Sequence, residues 1–469
     1  MTVRVSAGAR SRRTKDPQQE VRRQLGTALG AKGSRRFGLT TARRLRRSRA
    51  TRSIVAQVVV EFTDAVGNPA YAPANHGRLL ESLSSAAQEI RAAGLGGAPA
   101  SATALLRPAL VAAADFAFQQ LVHDVVTTVE RYHGGRPAAR SGAPRTGLET
   151  CWLNHTVRLR APLELIAEIA GDDAVVRIDV PRRLRRLAAA PPSGNARDRD
   201  EESGEAGSGV RVAVLDGEVC GAHPALGRRV LHRMNLTDEA WGRPDRHATA
   251  VAGIIAGGSP DYRGRAGAAE IVNYKIFPAR TTDGAGDPDD FDAVLALQSA
   301  VDDGMTIANC SWCGDAMDEV PGRHARAVDR AWDLGLIVVT SAGNDGPAAG
   351  TMTTPAEADK AIVVGATDPH GTAVQAYSSR GPVSGKAGPT LVAPGGGEDA
   401  GLVGCLPDGT VGDVGYGTSY AAAYVTGLLA ALLGRYPEAT PGELRDRLLG
   451  AARLLPGFGP EAQGAGVVR

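Results

Sequence analysis

Aromatic residues make up only 4% of the 469-residue chain, so its core must be built from alanine, valine and leucine rather than from rings. Cysteine is scarce as well. Cys151, Cys220, Cys310, Cys313 and Cys405 are few, scattered and odd in number, which excludes a disulfide framework. No unbroken apolar run reaches the ~18 residues of a membrane span; the longest, residues 421–433, is interrupted by Tyr424, Thr426 and Gly427. The amino terminus carries no apolar signal-peptide core. Ser34-Arg35-Arg36-Phe37 has the outline of a twin-arginine signal, but an arginine-rich stretch follows it where such a signal is apolar. Acids are nearly missing from the start: residues 1–55 hold 16 Lys or Arg against Asp16 and Glu20 alone.

What is present fits a soluble globular protein, with 43% apolar and 22% charged residues. About 150 residues per domain makes three units the starting expectation. The net charge of +2 conceals an acidic body, because the residues after 55 number 37 basic and 49 acidic, a net of −12. Residues 1–52 are expected to be a solvated basic arm, since blocks of like charge repel. Phe37 is its one aromatic, so base stacking is not expected and nucleic acid is not a leading partner. Residence in the cytoplasm is the expectation.

Past the arm, residues 53–62 (SIVAQVVVEF) read as a buried strand. Residues 76–94 and 108–132 have helical spacing, 152–159 read as a strand, 162–171 as a short helix and 174–180 as a strand. This predicts a small α+β domain over 53–187. Residues 188–208, rich in Pro, Gly, Ser and charge, have no apolar period and read as an exposed linker. From 209 to 469 short apolar strands alternate with amphipathic helices, which predicts an α/β domain with a mostly parallel central sheet.

Four polar sites stand at element boundaries in that last domain. Asp216 ends the apolar strand 210–215, where ligands and catalytic groups gather in open parallel sheets. His247 opens a buried helix. Asn344 lies on a Gly-flanked turn after the strand 336–340 and offers an amide suited to an oxyanion. Ser419 opens a second apolar helix, at its positive end. Each alone has an ordinary structural reading, as a cap, a turn residue or a buried histidine. Their joint order Asp, His, Asn, Ser in one α/β domain points to nucleophilic catalysis.

From about residue 210 to 468 the chain resembles the subtilisin-like serine peptidases. The likeness runs through Val212-Ala-Val-Leu-Asp216-Gly, His247-x-Thr-x-Val-Ala-Gly253, Tyr262-Arg-Gly-Arg-Ala266 and Asn309-Cys-Ser311. It continues through Ser341-Ala-Gly-Asn344-Asp-Gly, Tyr377-Ser-Ser-Arg-Gly381-Pro, Ala393-Pro-Gly395 and Gly417-Thr-Ser419-Tyr-Ala. The resemblance implies Ser419 as nucleophile, His247 as general base and then acid, Asp216 as its orienting carboxylate, and Asn344 with the Ser419 N–H as oxyanion hole. It also implies that Ser311, Trp312, Cys313 and Gly314, with Ser341, Ala342 and Gly343, pair with a protein or peptide substrate. Residues 53–187 are similar to the inhibitory propeptide-like domain of such proteases, a ferredoxin-like unit that would act as an intramolecular partner and leave by cutting of the linker in cis.

Three motifs depart from the family pattern: Asp216-Gly-Glu for Asp-Thr/Ser-Gly, Ala248 for the usual Gly, and Ser419-Tyr-Ala-Ala-Ala423, which lacks the usual Met and Pro. None removes a catalytic atom, and the Asp-Gly form is similar to maturation proteases of ribosomally made peptides. A catalytically silent pseudoprotease holding peptides in the same cleft is the alternative. Cys310 and Cys313 read as small core hydrophobes rather than a zinc or redox pair, with Trp312 and Cys313 expected to narrow the cleft. His223 reads as structural and the acids at 287–290 as a solvated turn. No cofactor is expected, and no metal ligands are assigned.

Overall fold

The β-branched residues of Val55–Phe62 form strand β1, with Val58, Val59 and Val60 fully buried. The structure, a computed structural model, describes residues 55–62, 102–132, 148–172, 174–179, 181–186, 206–279, 288–314 and 322–469. The basic arm, the helix expected over 76–94 and the linker up to 205 lie outside these residues. After β1 come α1 (Ala102–Tyr132), β2 (Glu149–Cys151), β3 (Thr156–Pro162), α2 (Leu163–Ile169) and β4 (Val175–Asp179), with sheet order β2-β3-β1-β4. β1 and β4 are antiparallel, with Val59 opposite Asp179. This β-α-β-β-α-β order is the ferredoxin-like arrangement that the resemblance implied, with one strand, β2, beyond the three that the residue pattern predicted. The strand expected over 152–159 begins later. Asn154 accepts a 2.7 Å bond from the Thr156 hydroxyl and His155 takes a positive φ of 55°, so residues 152–155 turn before β3 starts.

By length and hydropathy Arg107–Tyr132 of α1 passes for a membrane span although no unbroken apolar run does. Asp115, Asp124, Glu130 and Arg131 interrupt it, and Leu110, Phe118, Val122, Val125 and Val129 are buried while Phe116 is exposed.

The chain divides into two compact units. One takes the described residues of 55–62, 121–149 and 157–181; the other takes those of 102–120, 150–156 and 182–469. From residue 182 onward the second holds β5 (Leu184–Arg186) and is built on seven strands: β6 (Arg211–Asp216), β7 (Val230–Asn235), β10 (Glu270–Lys275), β11 (Ile307–Cys310), β13 (Ile337–Ser341), β14 (Ile362–Thr367) and β15 (Leu391–Pro394). Between and after them lie the short strands β8 (Gly258–Ser259), β9 (Tyr262–Arg263), β12 (Trp312–Gly314), β16 (Leu402–Cys405) and β17 (Val411–Gly415). The seven run in the order β15-β14-β13-β11-β6-β10-β7, all parallel. Their apolar content explains this, since parallel sheets are covered on both faces and their central strands are buried throughout. The chain starts at the middle with β6, goes out to β7, returns to β10 and crosses to β11 on the other side. Asp216 therefore ends the strand at which the order reverses, the place where open α/β sheets hold their ligands.

Among the described residues from 182 onward the helices are α3 (Arg246–Ala256), α4 (Asp290–Asp302), α5 (Arg323–Asp333), α6 (Thr418–Arg435), α7 (Pro441–Gly450) and α8 (Pro460–Gln463). Helices α3 and α6 are buried along most of their length. Ala248, Val251, Ile255, Ala421, Val425 and Leu429 join Val212, Val214, Val339 and Val364 in one core. Alanine and valine do the filling that rings do elsewhere, which answers the shortage of aromatics.

The acids at 287–290, expected to be solvated, prove structural at the two described positions that are acidic. Asp289 caps α4, accepting from the N–H groups of Phe291 (3.0 Å) and Asp292 (3.1 Å) in a capping box. Asp290 is fully buried and pairs with the buried Arg323, whose Nε lies 2.7 Å from Oδ2. His324, next in the chain, is buried too, and burial lowers its pKa to about 4 from 6.5, with Asp290 opposing. An unfolded chain takes up that proton first, so this contribution is complete above pH 6.5 and disappears as pH falls toward 4. At 1.36 kcal/mol per unit the loss is on the order of 3 kcal/mol. Urea unfolding at pH 7 and pH 4.5 is expected to show it, and His324→Leu to remove that part of the slope.

Candidate active site

β6 delivers Asp216 into a fully buried position, and α3 brings His247 against it, with Nδ1 2.8 Å from Asp216 Oδ2. The other carboxylate oxygen, Oδ1, accepts from the Gly217 N–H at 2.7 Å. Burial pushes the Asp216 carboxyl up, but His247, Arg186 and the Gly217 N–H outweigh it and hold it below the ordinary carboxylate range. His247 Nε2 is buried and has no hydrogen-bond partner among the described residues. A buried ring nitrogen left so is costly unless something is meant to reach it.

α3 starts where it does because Asp245 caps it, accepting from the Ala248 N–H at 2.9 Å. The cap's carboxylate stands close to the pair: one ligand atom each from Asp216, Asp245 and His247 fall within 4.8 Å of one another. Two carboxylates so placed call for a cation, and Arg186 supplies it, 3.2 Å from Asp245 and 3.6 Å from Asp216. Burial holds Asp245 above its usual value, with Arg186 opposing and Asp216 adding to the rise. The unusual Gly217 now has a reason. A Cβ there would stand 2.6 Å from the Asp245 Cβ, so this glycine makes room for this aspartate. Glu218, the next departure, is buried with Lys275 Nζ at 3.1 Å and accepts from the Gly242 N–H at 2.7 Å.

Ser419 occupies the first turn of α6 and is fully buried. Its hydroxyl donates to the Ser311 carbonyl at 2.9 Å, while the Ser311 hydroxyl donates to the Ser419 carbonyl at 2.9 Å. Asn309 donates to the Ser311 hydroxyl at 2.8 Å and accepts from Thr426 at 2.9 Å, so β11 and the start of α6 are latched together. Ser311, expected to touch substrate, also positions the serine. Asn344 Oδ1 accepts from both the N–H (3.0 Å) and the hydroxyl (2.7 Å) of Thr418, which orients its amide beside Ser419. Ser341 donates to the Trp312 carbonyl at 3.5 Å, and Ala342 and Gly343 are tied by backbone bonds to Val364 and Ser379. Of the expected residues, Asp216 and His247 are in contact, and Ser419, Ser311 and Asn309 are linked to one another; the Ser419 hydroxyl is held by Ser311 and not by His247, whose ring lies 5.7 Å from that of Tyr420, the residue after the serine. The five cysteines are free and buried, and His223 is structural, with Nε2 2.9 Å from the Thr410 carbonyl.

Strand β12 is already occupied. β5 lies antiparallel to it, with Trp312 opposite Arg186, Cys313 opposite Arg185 and Gly314 opposite Leu184. The other edge of this segment is paired as well. The Leu184 N–H donates to the Pro288 carbonyl (3.0 Å), and the Asp290 N–H donates to the Arg182 carbonyl (2.8 Å). Gly314 is required here, since a Cβ would stand 2.8 Å from the buried Leu184 side chain. Trp312 and Cys313 thus face a segment whose side chains are Leu, Arg and Arg. Sequence reasoning missed Arg186, Asp245 and Asp345. The tandem Arg-Arg-Leu of residues 182–187, and an acid two residues before His247, were the signals available.

A family model, Peptidase_S8, described as the subtilase family, matches residues 207–466. The chain is 30% identical over 292 residues to serine protease AprX of Bacillus subtilis (strain 168), a match covering 56% of this chain and 65% of AprX. It is 29% identical over 285 residues to subtilisin-like protease SBT6.1 of Arabidopsis thaliana, covering 57% of this chain and 26% of that protein. These two are therefore spanned over less than two-thirds of their length. Subtilisin E of Bacillus subtilis (strain 168) is 29% identical over 306 residues, with 62% and 73% covered. Among solved structures, Sphericase aligns over 56% of this chain and 92% of its own, at 26% identity and a TM-score of 0.49.

Proposed function

This chain belongs to the subtilase family, and from that premise we propose that it is a serine endopeptidase whose own segment 182–186 fills its cleft before being cut away. Ser419 Oγ attacks the substrate carbonyl and passes its proton to His247 Nε2. His247 returns that proton to the leaving amine, and Asp216 holds the ring by Nδ1 and offsets its charge. The Asn344 amide and the Ser419 N–H receive the oxyanion. The buried Asp216–His247 pair at 2.8 Å, with Nε2 left without a partner, is the observation that carries this reading. In the filled cleft the serine hydroxyl rests on Ser311, and a turn about its Cα–Cβ bond brings it into use. The departures in the motifs support a working enzyme, because Gly217 and Glu218 have local structural partners and none of the reacting atoms is lost.

The test is a fluorophosphonate probe read by intact mass on the full chain and on its Ser419→Ala variant. Labelling of the wild type alone, with loss of an amino-terminal piece by cutting within 187–208, is the expected result. An unlabelled wild type, or equal processing of both chains, overturns the reading. A second outcome is expected from Asn344→Ala, which removes one oxyanion donor. It should lower kcat by about 100- to 1,000-fold with a much smaller change in KM.

A further inference from the structure

Arg186 is held as a recognised side chain is held. Its Nη1 lies 3.2 Å from Asp245, its Nη2 donates to the Pro278 carbonyl at 2.9 Å, and its planar group sits 4.7 Å from the centre of the Phe277 ring. The two acids that meet it, Asp216 and Asp245, are buried and fixed by other bonds, one on the Gly217 N–H and one on the Ala248 N–H. Carboxylate, carbonyl and ring face therefore stand ready on three sides, which matches the fork and plane of a guanidinium better than the point charge of an ammonium. Arg185, its neighbour, differs: it meets Asp345 on the surface, both being about half exposed. Leu184 is buried over Gly314. The register says where this lies relative to the reaction. A peptide continuing past the position of Arg186 sets its next residue opposite Ser311, whose carbonyl holds the Ser419 hydroxyl. The bond after that residue is the one the serine reaches.

We propose that Asp245, Phe277 and the Pro278 carbonyl form a specificity pocket for arginine at the second residue before the bond that is cut, with leucine two residues further upstream. The natural substrates are then peptides or proteins that carry Leu-x-Arg-x ahead of the cut. This rests on the peptidase reading for its cleavage step but not for its binding step. A general attraction of basic peptides to the acidic body would treat the two arginines alike; a pocket does not.

Three peptides test it: Leu-Arg-Arg-Leu-Ala-Ala, the same with alanine for the second arginine, and the same with alanine for the first. Cleavage is measured with the wild-type chain after processing. Binding is measured with a full chain carrying Ser419→Ala, Arg185→Pro and Arg186→Ala, in which the proline breaks the backbone pairing of β5 with β12 and the alanine empties the pocket; Leu184→Gly with Arg186→Gly serves if that chain unfolds. Loss of the second arginine is expected to weaken handling about 10- to 100-fold, and loss of the first to change it less than about fivefold. Asp245→Asn, which keeps the helix cap, is expected to bring the arginine and alanine peptides to within about threefold of each other. Equal handling of the first two peptides, including no handling of either, overturns the pocket. So does a preference unchanged by Asp245→Asn. Selective binding by the variant, together with a wild-type chain that no fluorophosphonate labels, overturns the peptidase reading and leaves the pocket standing.

Discussion

Asp216→Asn is expected to lower kcat about 10,000-fold with the fold intact. The carboxylate accepts on both oxygens, from His247 Nδ1 at 2.8 Å and from the Gly217 N–H at 2.7 Å. An amide can keep only one of these as an acceptor. If its oxygen stays on Gly217, its NH2 meets Nδ1, and the histidine must carry its proton on Nε2, where the serine's proton has to go. The amide also withdraws the charge that stabilises the imidazolium. Peptide turnover and the rate of fluorophosphonate labelling should fall together, while thermal unfolding stays that of a folded domain. A drop of less than tenfold would mean that Asp216 does not orient His247, and Asp245, the other carboxylate within 4.8 Å, would be the residue to examine.

Asp290→Ala is expected to destabilise the second unit by about 3–5 kcal/mol. Asp290 is fully buried, Arg323 is 1% exposed, and the aspartate also accepts the Arg182 N–H at 3.1 Å. Removing the acid leaves a guanidinium in the interior, and a guanidinium cannot shed its charge. The double variant Asp290→Ala with Arg323→Met should regain much of the loss, because replacing a whole buried pair with apolar groups costs far less than halving it. Urea midpoints of the wild type, both single variants and the double variant decide it. If the two single losses simply add, the pair is not coupled. The contact bears on the cleft as well, since Asp290 pairs with the backbone of Arg182, two residues before β5.

Much of the site was legible in the order of residues. Asp216, His247, Asn344 and Ser419 each sit where an apolar period starts or stops, and the structure puts each at a strand end, a helix start or the turn after a strand. These boundaries follow from local chemistry: apolar runs bury themselves, and caps and glycines end them. The acids at 287–290 misled for the converse reason. A run of Asp beside Pro looks like a solvated turn, and only the approach of Arg323, more than 30 residues away in the chain, turns Asp290 into a buried partner.

Composition and pattern alone determined the parallel α/β class, the α+β class of the unit before it, and which side chains could do chemistry, because all three depend on periodicity and short-range preference. What fills the cleft was decided only in three dimensions. Arg186 and Asp245 are 59 positions apart, β5 and β12 more than 120, and no local rule pairs them. Pairing of distant strand edges depends on backbone groups that every sequence offers alike. The choice falls to where the folded sheet leaves an open edge and to whether a guanidinium arrives to meet two carboxylates already held there.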